Sequence, residues 1–234
     1  MASYRGHLMF ASALGAGYGA VGVWQWNLDW GPAFLAAGLC TLGGLLPDID
    51  SDSGVPVREL FGAASTVVPI LLYRRLRALG LTVEQLLVIL GGVYLFIRYV
   101  LSHIFKRFTV HRGMFHSIPG LLIAVLSAYL LYHSDDLTLR GYVAGAVGLG
   151  FLSHLVLDEI YSVDFNGLRI RLNKYAGSAL KFVSPSWTAT AATYLILAAL
   201  AVGVWFDWQR SQTPQPDPDS QRKSAVHAGQ GFSH

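Results

Sequence analysis

The stretch "GYVAGAVGLGFLSHLVLDE" (residues 141–159) is apolar over most of its length and ends with a histidine and two acids. Its length matches the roughly 17 to 25 residues that an α-helix needs to cross the hydrocarbon core of a bilayer. Lipid offers no hydrogen-bond partners, so a crossing segment must satisfy its own backbone groups, as a helix does. The stretch therefore predicts a membrane helix with polar side chains at one end.

Six other apolar segments extend this prediction to the whole chain. Of 234 residues, 53% are hydrophobic and 13% are charged, and this charged share is about half that of a soluble domain. The segments are residues 8–26, 31–46, 60–79, 84–102, 117–133 and 187–207, and the third is interrupted by Pro69 and by "RRLR" (residues 74–77). We expect an all-α membrane bundle of six to seven transmembrane or re-entrant helices.

The composition divides the chain at about residue 210. Residues 1–210 contain all the apolar segments and form the predicted membrane domain. Residues 211–234 are rich in Pro, Gln and Ser without apolar periodicity, which predicts a flexible polar tail. The single cysteine, Cys40, lies inside an apolar segment, so no disulfide framework is expected.

Basic residues near the ends of the segments predict the orientation, because loops with an excess of Lys and Arg tend to face the cytoplasm. Such residues lie before the first segment, after the fourth and between the sixth and seventh: Arg5, Lys106, Arg107, Arg112, Arg169, Arg171, Lys174 and Lys181. The pattern predicts an integral protein of a bacterial or archaeal cytoplasmic (inner) membrane, with "RRLR" as an exception. The net charge of +3 is small, so no nucleic-acid partner is expected.

This orientation brings three polar clusters and His7 to the cytoplasmic face. In "PDID", Asp48 and Asp50 are two residues apart after Pro47, so an extended turn would point both carboxylates to one side. Metal ligation is one interpretation, and general-base catalysis by either acid is another. An Asx turn that caps a helix is the structural alternative.

The cluster "SHLVLDE" places His154 and Asp158 four residues apart, hence on the same face of a helix. One helix can thus supply an imidazole and a carboxylate to a single ion, or the carboxylate can orient the imidazole. A hydrogen-bonded pair inside the bundle is the structural alternative.

The cluster "HRGMFHS" contains His111 and His116, which a continuous helix would separate by about 140°. We therefore expect a loop, followed by a helix with Ser117 as its N-cap and a proline in its first turn. Arg112 offers a planar guanidinium that suits a phosphate. Interfacial histidines beside a positive-inside arginine are the structural alternative.

Together with His7, at the start of the first segment, these clusters supply more ligands than the three protein groups of a single catalytic zinc site. The candidate metal ligands are His7, Asp48, Asp50, His111, His116, His154 and Asp158. We expect two divalent ions at one membrane face, with zinc as the first choice and manganese or iron as alternatives.

The motifs "GHLMFASALG", "PDIDSDSG", "HRGMFHS" and "SHLVLDE", in this order, resemble the YdjM-like family of membrane-bound metal-dependent hydrolases. The resemblance covers roughly residues 1–165. That family is in turn similar to bacterial zinc phospholipases C and zinc nucleases, which use a His-x-x-x-Asp pair like His154 and Asp158. Met114 and Phe115 depart from the family, where a small polar residue often precedes the second histidine.

The resemblance implies a metal-dependent hydrolase, and the position of the site favours a phosphoester of a membrane lipid or another amphiphile as substrate. Asp50 is the predicted general base and Arg112 the predicted cation that neutralises the anionic substrate. A transporter would also keep acids and histidines in a helix bundle, but near the membrane midplane. A regulatory scaffold would need no metal. The sequence leaves the oligomeric state open.

Overall fold

The computed structural model describes residues 3–50, 54–104, 116–166, 169–172, 181–183 and 186–212. Within these residues each of the seven apolar segments forms a helix. The helices are α1 (Tyr4–Trp26), α2 (Trp30–Gly43), a 3₁₀ helix (Leu46–Asp50), α3 (Gly54–Arg77), α4 (Val83–Leu95) with a π-helical extension (Phe96–Leu101), α5 (Ile118–Leu131), α6 (Leu137–Ile160) and α7 (Trp187–Gln212). The predicted helical class is confirmed.

One short pair of strands follows α6. Strands β1 (Val163–Asn166) and β2 (Arg169–Leu172) pair antiparallel. The predicted polar tail begins close to the end of α7, at Gln212, and residues 213–234 lie outside the described part of the chain.

Three helices within the described residues are long and apolar enough to cross a membrane: Val83–Ile104, Leu137–Ile160 and Trp187–Gln212. The apolar helices α2 and α5 are shorter, with 14 residues each. Helix α3 runs through Pro69 without a break. The structure thus supports a membrane protein with three candidate spans, and six to seven crossings stay a prediction.

Helix α6 lies at the centre of the bundle and packs against α1, α2 and α5. Its apolar side chains Val143, Ala146 and Val147 are buried with residues of α2. The backbones of α6 and α2 approach each other closely at Gly150, because a Cβ there would collide with the Cys40 carbonyl oxygen. Small residues at such contacts are typical of helix packing in membranes.

The end of the bundle where α6 begins is held by a buried ion-pair cluster. Arg140 of α6 and Arg75 of α3 both pair with the Asp207 carboxylate of α7. Arg140 is 2% exposed, and its guanidinium lies 4.3 Å from the Tyr129 ring centroid. Arg75 belongs to "RRLR", so at least one of these arginines has a structural partner. If the predicted orientation holds, this ion pair gives Arg75 a structural reason to lie away from the cytoplasmic face.

Candidate metal centre

The opposite end of the bundle collects titratable side chains from four separate elements. His7 lies in the first turns of α1, where Ser3 is the N-cap. Asp48 lies in the 3₁₀ helix, and His116 directly precedes the α5 N-cap. His154 and Asp158 lie in the last two turns of α6.

Asp158 stands among three histidines, and its two oxygens face different partners. Its Oδ1 lies 3.3 Å from His7 Nε2. Its Oδ2 lies 3.5 Å from His154 Nε2 and 3.7 Å from His116 Nε2. The carboxylate is 6% exposed. A buried acid in these surroundings is costly without compensating positive charge.

His154 has a fixed tautomer because its Nδ1 lies 2.7 Å from the Gly44 carbonyl oxygen. A carbonyl only accepts, so Nδ1 carries the proton and donates it. In the neutral ring, the lone pair is then on Nε2, which is buried and has no hydrogen-bond partner among the described residues. This atom faces Asp158 at 3.5 Å and Asp48 Oδ1 at 3.7 Å.

The ring of His7 stacks on that of His154, with centroids 3.7 Å apart and an angle of 11° between the planes. Nδ1 of His7 is also buried without a hydrogen-bond partner in the described part of the chain. Two adjacent imidazoles therefore each retain a buried nitrogen that the described protein groups do not satisfy. Such orphaned atoms indicate a ligand, because native structures rarely leave buried polar atoms unpaired.

The ligand atoms form two overlapping sets, each within 4.8 Å: His7, His154 and Asp158 in one, Asp48, His116 and His154 in the other. Imidazole nitrogen and carboxylate oxygen are the ligands of zinc, and they also suit manganese and iron. The donor set and the orphaned nitrogens both fit a divalent cation.

Burial shifts the titration of Asp48 and His116, which lie outside the candidate spans. It lowers the pKa of His116 to about 4, with the neighbouring His154 as the next cause. Burial also raises the pKa of Asp48 above its usual range, partly offset by His154 and His7. His116 is therefore neutral at pH 7, as a metal ligand must be.

Two predictions about local structure are confirmed. His154 and Asp158 share a face of α6 and lie within 3.5 Å of each other. Ser117 caps α5, since its Oγ accepts a hydrogen bond from the Gly120 N–H at 3.1 Å, and Pro119 lies in the first turn.

The extended turn predicted for "PDID" is wrong, because Leu46–Asp50 forms a 3₁₀ helix. The φ angle of proline suits a helical turn, and the Asp48 N–H donates to the Leu45 carbonyl at 3.2 Å. Asp48 reaches the cluster from this helix. Asp50 ends it, and its side chain lies outside the described part of the chain.

His111 and Arg112 also lie outside the described residues, so their roles stay predictions. Sequence reasoning missed Gly44, whose carbonyl fixes the tautomer of His154. The available signal was the glycine pair Gly43-Gly44 directly before "LLPDID". Sequence reasoning also missed Lys181 as a site residue. The structure places Lys181 there, because its carbonyl accepts a hydrogen bond of 3.3 Å from the Ile118 N–H beside the site.

A comparison with protein families finds a family model that covers most of the chain. The family model described as "YdjM inner membrane protein" matches residues 1–213, which include all the helices given above. No curated protein matches the chain, and no solved structure does. The resemblance to zinc phospholipases C therefore stays a prediction. The family match and the three apolar helices show that the chain belongs to the YdjM inner membrane protein family and is an integral membrane protein.

Proposed function

We propose that this protein is a metal-dependent hydrolase of the inner membrane that cleaves a phosphoester of a lipid or another amphiphile. The observation that carries the proposal is the placement of His154. Its Nδ1 donates to a backbone carbonyl, and its buried Nε2 faces two carboxylates at 3.5 and 3.7 Å without a hydrogen bond to any described residue. A lone pair beside two carboxylates is unfavourable until a cation lies between them.

The two oxygens of Asp158 favour two ions over one. His154 has only Nε2 left to offer, so it can bind a single ion. His7 and Asp158 would hold one ion, and His116, His154 and Asp158 would hold the other, with Asp48 beside them. Asp50 and His111 are the predicted further ligands.

A bound divalent ion would lower the pKa of a water toward neutrality and polarise the phosphoryl oxygen. The protein groups supply the remaining steps. Asp48 has a raised pKa and is partly exposed, so it is placed to accept a proton from water at the site. Asp50 is the alternative base. Gly44 holds the His154 ring in one orientation.

Positive charge at the site favours an anionic substrate. Lys181 lies beside the start of α5, and its charge contributes to the low pKa of His116. The N-terminus of α5 adds the positive end of its helix dipole. Arg112 is the further cation that we expect to neutralise a phosphate.

The position of the centre favours a membrane substrate. Its ligands lie in the first turns of α1 and the last two turns of α6, a candidate span. One end of a span lies at the depth of the lipid headgroups, where the phosphate of a phospholipid is found. We place this end on the cytoplasmic face because of the basic residues near the segment ends.

Metal content tests the proposal. The full chain, purified in detergent and reconstituted with zinc or manganese, should hold about two ions per chain. His154→Ala should lose bound metal, whereas the exposed His103 provides a matched control that should retain it as His103→Ala. Metal below about half an ion per chain would contradict the centre and favour a scaffold.

Activity is measured separately on a panel of lipid and soluble phosphoesters. Hydrolysis should stop with a chelator and return with the metal. Full metal occupancy without hydrolysis of any phosphoester would contradict the hydrolase but not the metal centre.

A further inference from the structure

One arginine interrupts a candidate span that the rest of the described protein covers very little. Val83–Ile104 has a mean hydropathy of 1.8 over its most apolar window, and only 6% of that window is buried inside the protein. Arg98 is the only arginine or lysine in this span, and its neighbours Phe96 and Tyr99 are 50% and 64% exposed. Ionisable residues inside a membrane helix are costly and usually serve a function.

The backbone around Arg98 is a π-helix, Phe96–Leu101, a form that occurs often at functional sites. The Arg98 guanidinium lies against α3, where its Nη1 donates to the Arg58 carbonyl oxygen at 3.4 Å. Gly62 leaves the space for it, because a Cβ there would lie 2.8 Å from Nη1. The arginine therefore occupies a fitted position against the neighbouring helix.

Arg98 has no carboxylate within ion-pair distance among the residues that the structure describes. Its one described side-chain hydrogen bond uses one of the five N–H groups of a guanidinium. The remaining N–H groups can bind an anion from outside the described protein.

Packing places Arg98 at the same end of the bundle as the metal centre. The adjacent Ile97 is buried with Val57 and Phe61, near the start of α3. Ile49 packs against this apolar cluster and directly follows Asp48 in the chain. The groove between α3 and α4 therefore adjoins the 3₁₀ helix that supplies a candidate metal ligand.

We propose that Arg98 binds the phosphate of a phospholipid headgroup in the leaflet at the metal-centre end. A planar guanidinium matches phosphate geometry, and the exposed surface of this candidate span would meet lipid in a membrane. The further step, that this lipid is positioned as substrate, rests on the proposed hydrolase. The binding of phosphate by Arg98 does not.

The test uses the full chain in a maltoside detergent, with metal removed by a chelator. A fluorescent phosphatidylglycerol is titrated into wild type and variants. Arg98→Gln should weaken the affinity roughly tenfold, the equivalent of about 1.4 kcal/mol. Arg58→Gln is the matched control, because this side chain is 65% exposed, and it should change the affinity less than about twofold.

A second variant guards against misfolding. Gly62→Ala retains Arg98 but displaces its flexible end, since the side-chain atoms within 4 Å of the added Cβ, Nη1 and Cζ, both belong to Arg98. It should weaken lipid binding without lowering the unfolding midpoint. Inorganic phosphate is then added as a competitor. Displacement of the fluorescent lipid by inorganic phosphate would show that the site takes phosphate from water. A lack of displacement would assign the site to lipid.

Unchanged lipid affinity in Arg98→Gln would overturn the proposal. Loss of self-association in that variant, with lipid affinity unchanged, would overturn it in favour of a second copy of the chain as the partner. The proposed hydrolase is judged by different readouts. Arg98→Gln should keep its bound metal, and His154→Ala should keep its lipid affinity, so either proposal can fail alone.

Discussion

Replacing His154 and Asp158 separates a metal centre from a hydrogen-bonded structural pair. His154→Ala removes a nearly fully buried ring and the hydrogen bond at 2.7 Å to the Gly44 carbonyl. Asp158→Ala removes a carboxylate that lies within 3.7 Å of three histidines. Each change leaves buried polar partners unsatisfied, which costs about 1–3 kcal/mol in the metal-free protein.

The metal-dependent part of the stability distinguishes the two interpretations. With free zinc at about 100 times its dissociation constant, the folded wild type gains about 2.7 kcal/mol for each ion bound. Both single variants should lose this gain together with the metal and the phosphoesterase activity. Replacing both residues with apolar side chains of similar size should recover metal-free stability but neither metal nor activity.

The assay is the unfolding midpoint in detergent, with and without chelator, alongside metal content and phosphoester hydrolysis. The four proteins compared are wild type, both single variants and the double variant. Full metal occupancy and full activity in both single variants would refute the assignment of α6 to the site. A zinc-dependent rise in midpoint that persists in both would refute it equally.

Three other predictions concern pH, sidedness and packing. The low folded pKa of His116, about 4 against 6.5 in the unfolded chain, contributes stability above pH 6.5 that is lost as the pH falls toward 4. Denaturant unfolding of the metal-free protein should show this slope, and His116→Gln should flatten it; an equal slope in both would contradict the assignment. In a background without the native cysteine, cysteines at the exposed positions Tyr161 and Asp135 should react with impermeant reagents from opposite membrane faces, and reaction from one face would contradict the arrangement of α6. Gly150→Ala should destabilise the bundle by at least about 1–3 kcal/mol, because its Cβ meets the carbonyl of a packed helix, whereas Gly141→Ala, with open space around it, should not; equal thermal midpoints would refute the close approach.

Local sequence patterns predicted the long helices and the side-chain relations within each of them. Runs of apolar residues predicted the seven helices α1 to α7 but not the 3₁₀ helix at Leu46–Asp50, since a chain in lipid must satisfy its backbone locally. The spacing of His154 and Asp158 predicted their contact, because residues four apart share a face of any α-helix. The cap at Ser117 followed from the same local rules.

The contacts between residues from distant parts of the chain depend on how the helices pack against one another. His7 and Asp158 come together because α1 packs antiparallel to α6. The tautomer of His154 depends on a carbonyl that lies 110 residues away in the chain. The position of the Arg98 guanidinium likewise depends on Gly62 and the Arg58 carbonyl of the neighbouring helix α3. Apolar periodicity fixes how one helix folds, but side-chain packing and the pairing of buried charges fix which helix faces it meets.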